Sequence, residues 1–142
     1  MKILIIHGPN MNLLGERDPE QYGTQTLADL NSVIRDTFQQ EHTLKFFQSN
    51  DEGAVVDCLQ EERHWADGVV INPGALTHYS YVLRDAIEAV DVPCVEVHLS
   101  DIAKREEFRK ISVIEPVCIT QVKGKGFDSY LEGIRHLIDH LG

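Results

Sequence analysis

The apolar residues of this chain switch period repeatedly from one end to the other, and that alternation restricts its fold more than any other feature. Residues 2–7 (KILIIH) form a continuous run rich in β-branched side chains, the pattern of a strand buried on both faces. Residues 25–41 then place Leu27, Leu30, Val33, Ile34 and Phe38 at helical spacing, with Thr26 and Asp29 as an N-terminal capping signal. The exchange continues with a strand at 43–49, a helix at 54–65 turning Val55, Val56, Leu59 and Trp65 inward, and a strand at 67–71. A helix at 77–90 and strands at 93–98 and 117–122 follow. The chain closes with an amphipathic helix at 128–141 carrying Leu131, Ile134, Leu137, Ile138 and Leu141.

Five strands alternating with helices predict an α/β fold, because parallel neighbours need a crossover connection that lays helices on both faces of the sheet. The count is that of a flavodoxin-like three-layer sandwich, a five-stranded parallel sheet of order 2-1-3-4-5. No repeat, low-complexity tract or linker interrupts the pattern, and 142 residues suit one packed unit, so 1–142 reads as a single domain. The loops are unequal: those after the first and fourth strands, 8–24 and 99–116, are long. Ligands of open α/β sheets bind beyond the carboxyl ends of the strands at the topological switch point, here between strands one and three. The loops after strands one, three and four are expected to meet there.

Charge narrows the partners. Thirteen Lys and Arg against twenty-three Asp and Glu give a net −10, with a pI near 5.0. This disfavours nucleic acid and anionic membrane, both of which call for a basic surface. No apolar run approaches the roughly 18 residues of a membrane span, and the opening apolar stretch is too short for a secretory signal, so a cytoplasmic location is expected. Cys58, Cys94 and Cys118 are odd in number and contain no C-x-x-C pair, and read as three buried, reduced thiols.

The three loops at the expected site carry a concentrated polar set: Asn10, Asn12, Arg17 and Tyr22; Asn72, Thr77 and His78; Glu96, His98 and Ser100. The segment 104–110 (KREEFRK) adds a local +2 to an acidic chain, which suits an anionic ligand. Taken singly, Tyr22 is a packing residue, Arg17 a solvated charge, and His78 and His98 satisfied structural histidines; their convergence on one sheet edge gives them functional weight. Glu96 and His98 lie two apart on a strand and share a face, so the carboxylate can fix the ring and leave its other nitrogen to pass a proton. Tyr22, with an ordinary phenol pKa of about 10, becomes a base only with help, which the guanidinium of Arg17 on the same loop would supply. Other motifs fail: the loop after strand one lacks the Ser and Thr of a flavin-phosphate site, His7 and Asn72 stand where a phosphoacceptor domain needs acids, and Gly124-Lys125-Gly126 lacks the third glycine of a dinucleotide loop. His136 and His140 share a helix face but have no evident third metal ligand.

These residues also fall in a familiar order. Gly8-Pro9-Asn10-Met11-Asn12-Leu13-Leu14-Gly15 with Arg17, Pro19 and Tyr22-Gly23, then Gln48-Ser49-Asn50, Asn72-Pro73-Gly74-Ala75 with Thr77-His78, Glu96-Val97-His98-Leu99-Ser100 and Arg105-Glu106-Glu107-Phe108-Arg109 together resemble type II 3-dehydroquinate dehydratase, over the whole chain and in register. The resemblance implies a shikimate-pathway lyase converting 3-dehydroquinate to 3-dehydroshikimate without metal or organic cofactor. It implies Tyr22 as the base, Arg17 as the lid arginine that activates it, Asn10 as the holder of a water at the enolate oxygen, and His98, oriented by Glu96, as the acid. Asn72, His78 and Arg109 then match the groups that bind ring hydroxyls, the amides of Leu99 and Ser100 the carboxylate site, Arg105 a second arginine near the lid, and Asp85 an aspartate inserted into a neighbouring subunit's site. Homo-oligomers, trimers assembled into a dodecamer, are implied as well.

Four positions depart from the family pattern: His7 for Asn, Asp51 for His, Tyr79 for Thr and Asp101 for Asn. Tyr79 and Asp101 are expected beside the substrate contacts and bear on affinity; His7 reads as structural. The alternative readings are a catalytically silent binding module for a small anionic metabolite and the same reaction used in quinate breakdown.

Overall fold

A computed structural model describes residues 1–16, 20 and 23–142. Its centre is a parallel sheet of five strands, β1 (Lys2–His7), β2 (Thr43–Gln48), β3 (Gly68–Asn72), β4 (Cys94–His98) and β5 (Gln121–Lys123), in the order β2-β1-β3-β4-β5. Four helices connect and cover them: α1 (Leu27–Phe38), α2 (Glu52–Glu62), α3 (Tyr81–Val90) and α4 (Phe127–Leu141). The expected strand order and three-layer arrangement are therefore present.

Alternation along the strands divides the core into two layers. Ile3, Ile5, Val70, Val95 and Val97 pack against Leu30 and Ile34 of α1 and Tyr130, Ile134 and Leu137 of α4. Leu4, Ile6, Val69 and Ile71 pack against Val55 and Leu59 of α2 and Leu83 and Ile87 of α3. Helix α4 lies unusually close to the sheet, since a Cβ at Gly133 would stand 2.5 Å from Val97 Cγ1. That approach brings Tyr130 down onto the strand ends.

Local chemistry sets the boundaries. The Thr26 side chain accepts from the Asp29 N–H while Asp29 returns a bond to the Thr26 N–H, a complete capping box that starts α1 at Leu27 rather than at 25. Asp51, one of the four departures, accepts from the Gly53 N–H at 2.9 Å and starts α2 at Glu52, earlier than the apolar pattern indicates. That helix ends before Trp65, which is half-buried against the Leu4 layer with the Lys45 ammonium 4.2 Å from its ring.

Three expectations are corrected. The helix expected at 77–90 is two elements, a 3-10 turn at Gly74–His78 and then α3, because the Ser80 hydroxyl caps the Leu83 N–H at 3.0 Å and Thr77 is turned inward. The strand expected at 117–122 is a 3-10 turn at Glu115–Val117 followed by the short β5; Pro116 sits in its first turn, and the intervening segment is tied to the sheet edge by Ile119 N–H to Cys94 O at 2.8 Å and Glu96 N–H to Thr120 O at 3.1 Å. Cys118, on that segment, is accordingly half-buried, whereas Cys58 and Cys94 are buried. Burial, reinforced by Glu62 and Glu61, pushes the Cys58 thiol up to about 11, so it stays protonated at neutral pH.

Candidate active site

The loops after β1, β3 and β4 do meet, enclosing a cleft lined by Asn10, Met11, Asn72, His78, His98, Leu99, Ser100, Arg105 and Arg109 among others. Its floor is the carboxyl end of the sheet, as the switch-point rule requires. The chain reaches it by a close backbone crossing: Gly8 N–H donates to Asn72 O at 2.7 Å, and a Cβ at Gly8 would fall 2.7 Å from that same oxygen. Asn10 follows in the left-handed region, φ 70°, which Asn tolerates better than most residues. Its amide donates to Asn50 Oδ1 at 2.9 Å, and Gln48 Nε2 donates to Gly8 O and Asn50 Oδ1, so residues after β2 hold the first loop in place.

Glu96 and His98 behave as their spacing predicts. His98 Nε2 donates to Glu96 Oε2 at 2.5 Å, both side chains being buried, and this leaves Nδ1 as the ring's remaining nitrogen. Glu96 is fully enclosed, yet three further donors reach its carboxylate: Thr77 Oγ1 at 2.5 Å, Ser112 Oγ at 2.8 Å and Gln121 Nε2 at 3.0 Å. Burial alone would raise the Glu96 pKa. The bonds from His98, Thr77 and Gln121, together with the His98 charge, outweigh it and hold the carboxyl below its ordinary value. The acceptor that orients His98 is thus a permanent anion at neutral pH.

His78 donates from Nδ1 to the Ile111 carbonyl at 2.8 Å, leaving Nε2 as an acceptor, and its ring meets Phe108 edge-on. Burial chiefly, with the positive charges of His98 and Arg109, lowers its pKa, so the ring is neutral at pH 7. Arg109 lies over Phe108 at 4.6 Å and is paired through Nε with Glu106, which orients the guanidinium at the cleft rim. Leu99 is anchored by the Gly126 N–H on its carbonyl at 3.0 Å, presenting Leu99 and Ser100 along the cleft wall.

Not every expected residue is brought in. Arg17 and Tyr22 lie outside the described residues. Asp85 is exposed on α3 and is not part of its own chain's cleft. Tyr79 is 61% exposed and Asp101 caps the Ala103 N–H at 3.0 Å; they adjoin the cleft residues His78 and Ser100 in sequence without lining the cleft themselves. His7 is buried and lines no part of it. His136 faces Glu132 at 3.6 Å, and among the described residues no three His, Cys, Asp or Glu side chains are grouped for a metal. Sequence reasoning missed Ser112 and Gln121 as partners of Glu96. Gln121 was accessible in principle, since it stands opposite Glu96 in the β4–β5 register, whereas Ser112 lies in irregular chain with no periodic signal.

A doubly wound sheet of this order with an acid–base dyad and basic residues at its switch point defines the flavodoxin-like class of α/β proteins with a polar, anion-suited pocket. The sequence profile described as "Dehydroquinase class II" matches residues 1–138, and the chain belongs to that family. It is 52% identical over 132 residues to the 3-dehydroquinate dehydratase of Dictyoglomus turgidum, covering 92% of this chain and 91% of that one. It is 50% identical over 143 residues to the 3-dehydroquinate dehydratase of Roseiflexus castenholzii, covering 100% and 91%. The crystal structure of the type II dehydroquinase from Butyrivibrio crossotus superposes with a TM-score of 0.95 at 45% identity, covering 97% of each chain.

Proposed function

We infer that this chain is a type II 3-dehydroquinate dehydratase of the shikimate pathway, a carbon–oxygen lyase that removes water from 3-dehydroquinate to give 3-dehydroshikimate. The observation that carries the reading within the fold is the buried Glu96–His98 pair opening onto a cleft with Arg105 and Arg109. A silent binding module would have no use for an imidazole held by an enclosed carboxylate. In the proposed sequence Tyr22, present as the phenolate because Arg17 stabilises its charge, takes the proton from C2, and the electron pair passes into the adjacent carbonyl as an enolate. Asn10 holds a water against that oxygen, where preorganised donors are most effective. With both ring nitrogens protonated, His98 keeps its Nε2 bond to Glu96 and gives the other proton to the C1 hydroxyl. The enolate collapses, the C1–O bond breaks and water leaves, so the two lost groups account for one water.

Asn72, His78 and Arg109 are proposed to bind the ring hydroxyls, the Leu99 and Ser100 amides the carboxylate, and Arg105 the same anion from the rim. No metal or organic cofactor takes part in this scheme. The exposed Asp85 fits a role in a neighbouring subunit, hence trimers within a homododecamer of single-domain chains spanning 1–142. A cytoplasmic location accords with the absence, among the described residues, of any helix long and apolar enough to cross a membrane.

The direct test is the rise of near-ultraviolet absorbance from the conjugated enone when the protein meets 3-dehydroquinate; no signal at high protein concentration overturns the reading. Tyr22→Phe should abolish turnover while keeping binding, because only the reacting hydroxyl is lost. Near-normal kcat in that variant would show that another group is the base.

A further inference from the structure

Three consecutive residues outside any helix or strand, 111–113, touch both halves of the site from behind the cleft rim. Ile111, in extended conformation (φ −102°, ψ 132°), turns its carbonyl to His78 Nδ1 at 2.8 Å. Ser112 points its hydroxyl at Glu96, with Oγ 2.8 Å from Oε1 and 3.0 Å from Oε2. The Val113 N–H donates to the Thr77 carbonyl at 2.7 Å, which holds the segment along the 3-10 turn that carries Thr77 and His78. One short run of chain thus meets a residue assigned to binding and the carboxylate that orients the assigned acid.

The direction of each bond follows from the protons present. The Ser112 oxygen accepts the N–H groups of Ile114 at 3.2 Å and Glu115 at 3.0 Å, which occupies its two lone pairs and sends its single proton outward. Two acceptors are in reach, Thr77 Oγ1 at 2.9 Å and the ionised Glu96 at 2.8 Å, and the carboxylate forms the stronger, charge-assisted bond. Thr77, His98 and Gln121 all bond Oε2, so among the described residues Ser112 is the donor that Oε1 receives. At His78 the Ile111 carbonyl can only accept, so it takes the Nδ1 proton and leaves Nε2 as a lone pair for the cleft that His78 lines. A ligand between the two histidines is therefore offered a lone pair by His78 and, from protonated His98, a proton.

We propose that Ser112 is a positioning residue which, through the run 111–113, ties the orientation of His78 to that of the Glu96–His98 pair, so that the accepting edge of one histidine and the donating edge of the other act on the same bound substrate. This rests on the reading of the cleft as the 3-dehydroquinate site. Arg109 lies two residues ahead of the run, so the same hydroxyl anchors the cationic rim to the buried carboxylate.

Ser112→Ala removes only the hydroxyl. It should lower kcat with 3-dehydroquinate about 10-fold, the size of one lost hydrogen bond, and raise KM about 3-fold as the Ile111 carbonyl loosens its hold on His78. Ser112→Thr keeps the hydroxyl and should restore both constants. In a His98→Ala background Ser112→Ala should leave kcat unaltered and still raise KM, whereas a general loosening of the fold would lower kcat by the same factor in both backgrounds. In the ligand-free protein the ring-nitrogen magnetic resonance signals of His98 and His78 should both shift in Ser112→Ala and return in Ser112→Thr. Unchanged kcat in Ser112→Ala, an equal kcat loss in both backgrounds, or His78 signals that stay in place would overturn the proposal. If the wild-type protein does not dehydrate 3-dehydroquinate, the functional reading falls, and the ring signals still decide whether Ser112 ties the two histidines together.

Discussion

Two groups of buried polar side chains stand at the carboxyl ends of the central strands, one in each layer, and burial has acted on them in opposite ways. Glu96 is enclosed but ringed by donors from His98, Thr77, Ser112 and Gln121, so it keeps its charge and its pKa is lowered. His7 is enclosed between two neutral partners, and burial wins over the bond to Asn31, taking its pKa down to about 4 and leaving it uncharged. The difference lies in what surrounds the ionised form, not in depth. A carboxylate can be kept ionic in a protein interior when several donors converge on it, whereas an imidazole given one acceptor and one hydroxyl stays neutral. The charged group sits beside the residue assigned to proton transfer, and the neutral one beside a residue assigned to binding.

The contrast can be broken most severely at Glu96. Glu96→Gln keeps the volume but removes the buried charge and replaces one accepting oxygen with an N–H₂, so at least one of the groups that now donate to Glu96 must turn round to accept; kcat should fall about 100-fold or more and stability by about 3 kcal/mol. Steady-state kinetics and urea unfolding check both. A stable variant with wild-type kcat would mean that His98 needs no anionic partner.

Acid separates the two groups by window. His7 binds a proton in the unfolded chain below its ordinary value near 6.5 but in the folded protein only near 4, so the unfolded state holds more protons between these limits and stability rises with pH there. Up to about 3 kcal/mol present above pH 6.5 is lost as pH falls toward 4. Glu96 acts later: its contribution is complete above the usual carboxylate value and is lost as pH falls through its lower folded pKa. Urea unfolding at stepped pH should therefore show a loss between pH 6.5 and 4 that is absent in His7→Asn. An equal loss in that variant would remove His7 as its cause.

A smaller effect is expected from Thr77→Val, which deletes one of the Glu96 donors while preserving shape. Stability should drop by about 2 kcal/mol and kcat by about 10-fold through poorer restraint of the Glu96–His98 pair. Melting and kinetics measured together check it, and an unchanged kcat would confine Thr77 to stability alone.

The layered fold and the Glu96–His98 pairing were legible from sequence because both depend on periodicity: five apolar runs separated by helical spacing, and two residues at the strand period. What escaped depended on tertiary partners. Thr77 and Ser80 read as ordinary positions within a helix, yet one hydroxyl turns to Glu96 and the other caps α3, which divides the element. The β-branched run at 117–122 resembles a strand in isolation, but Pro116 and the sheet edge leave only Gln121–Lys123 in the ladder. Ser112 has no pattern to reveal it, and His7 looks like one more residue of a buried run until Asn31 and Tyr130 converge on it. Position 79 follows the cleft residue His78 directly, and the end of the 3-10 turn leaves its side chain at the surface, which no periodicity in the sequence indicates.

In the proposed mechanism proton transfer belongs to the charged layer, where Glu96 holds His98. The direct test is enone formation from 3-dehydroquinate by His98→Ala and the wild-type protein, measured side by side across substrate concentration. His98→Ala should lose kcat by about 1,000-fold with KM little changed. A His98→Ala protein that keeps wild-type kcat would contradict it.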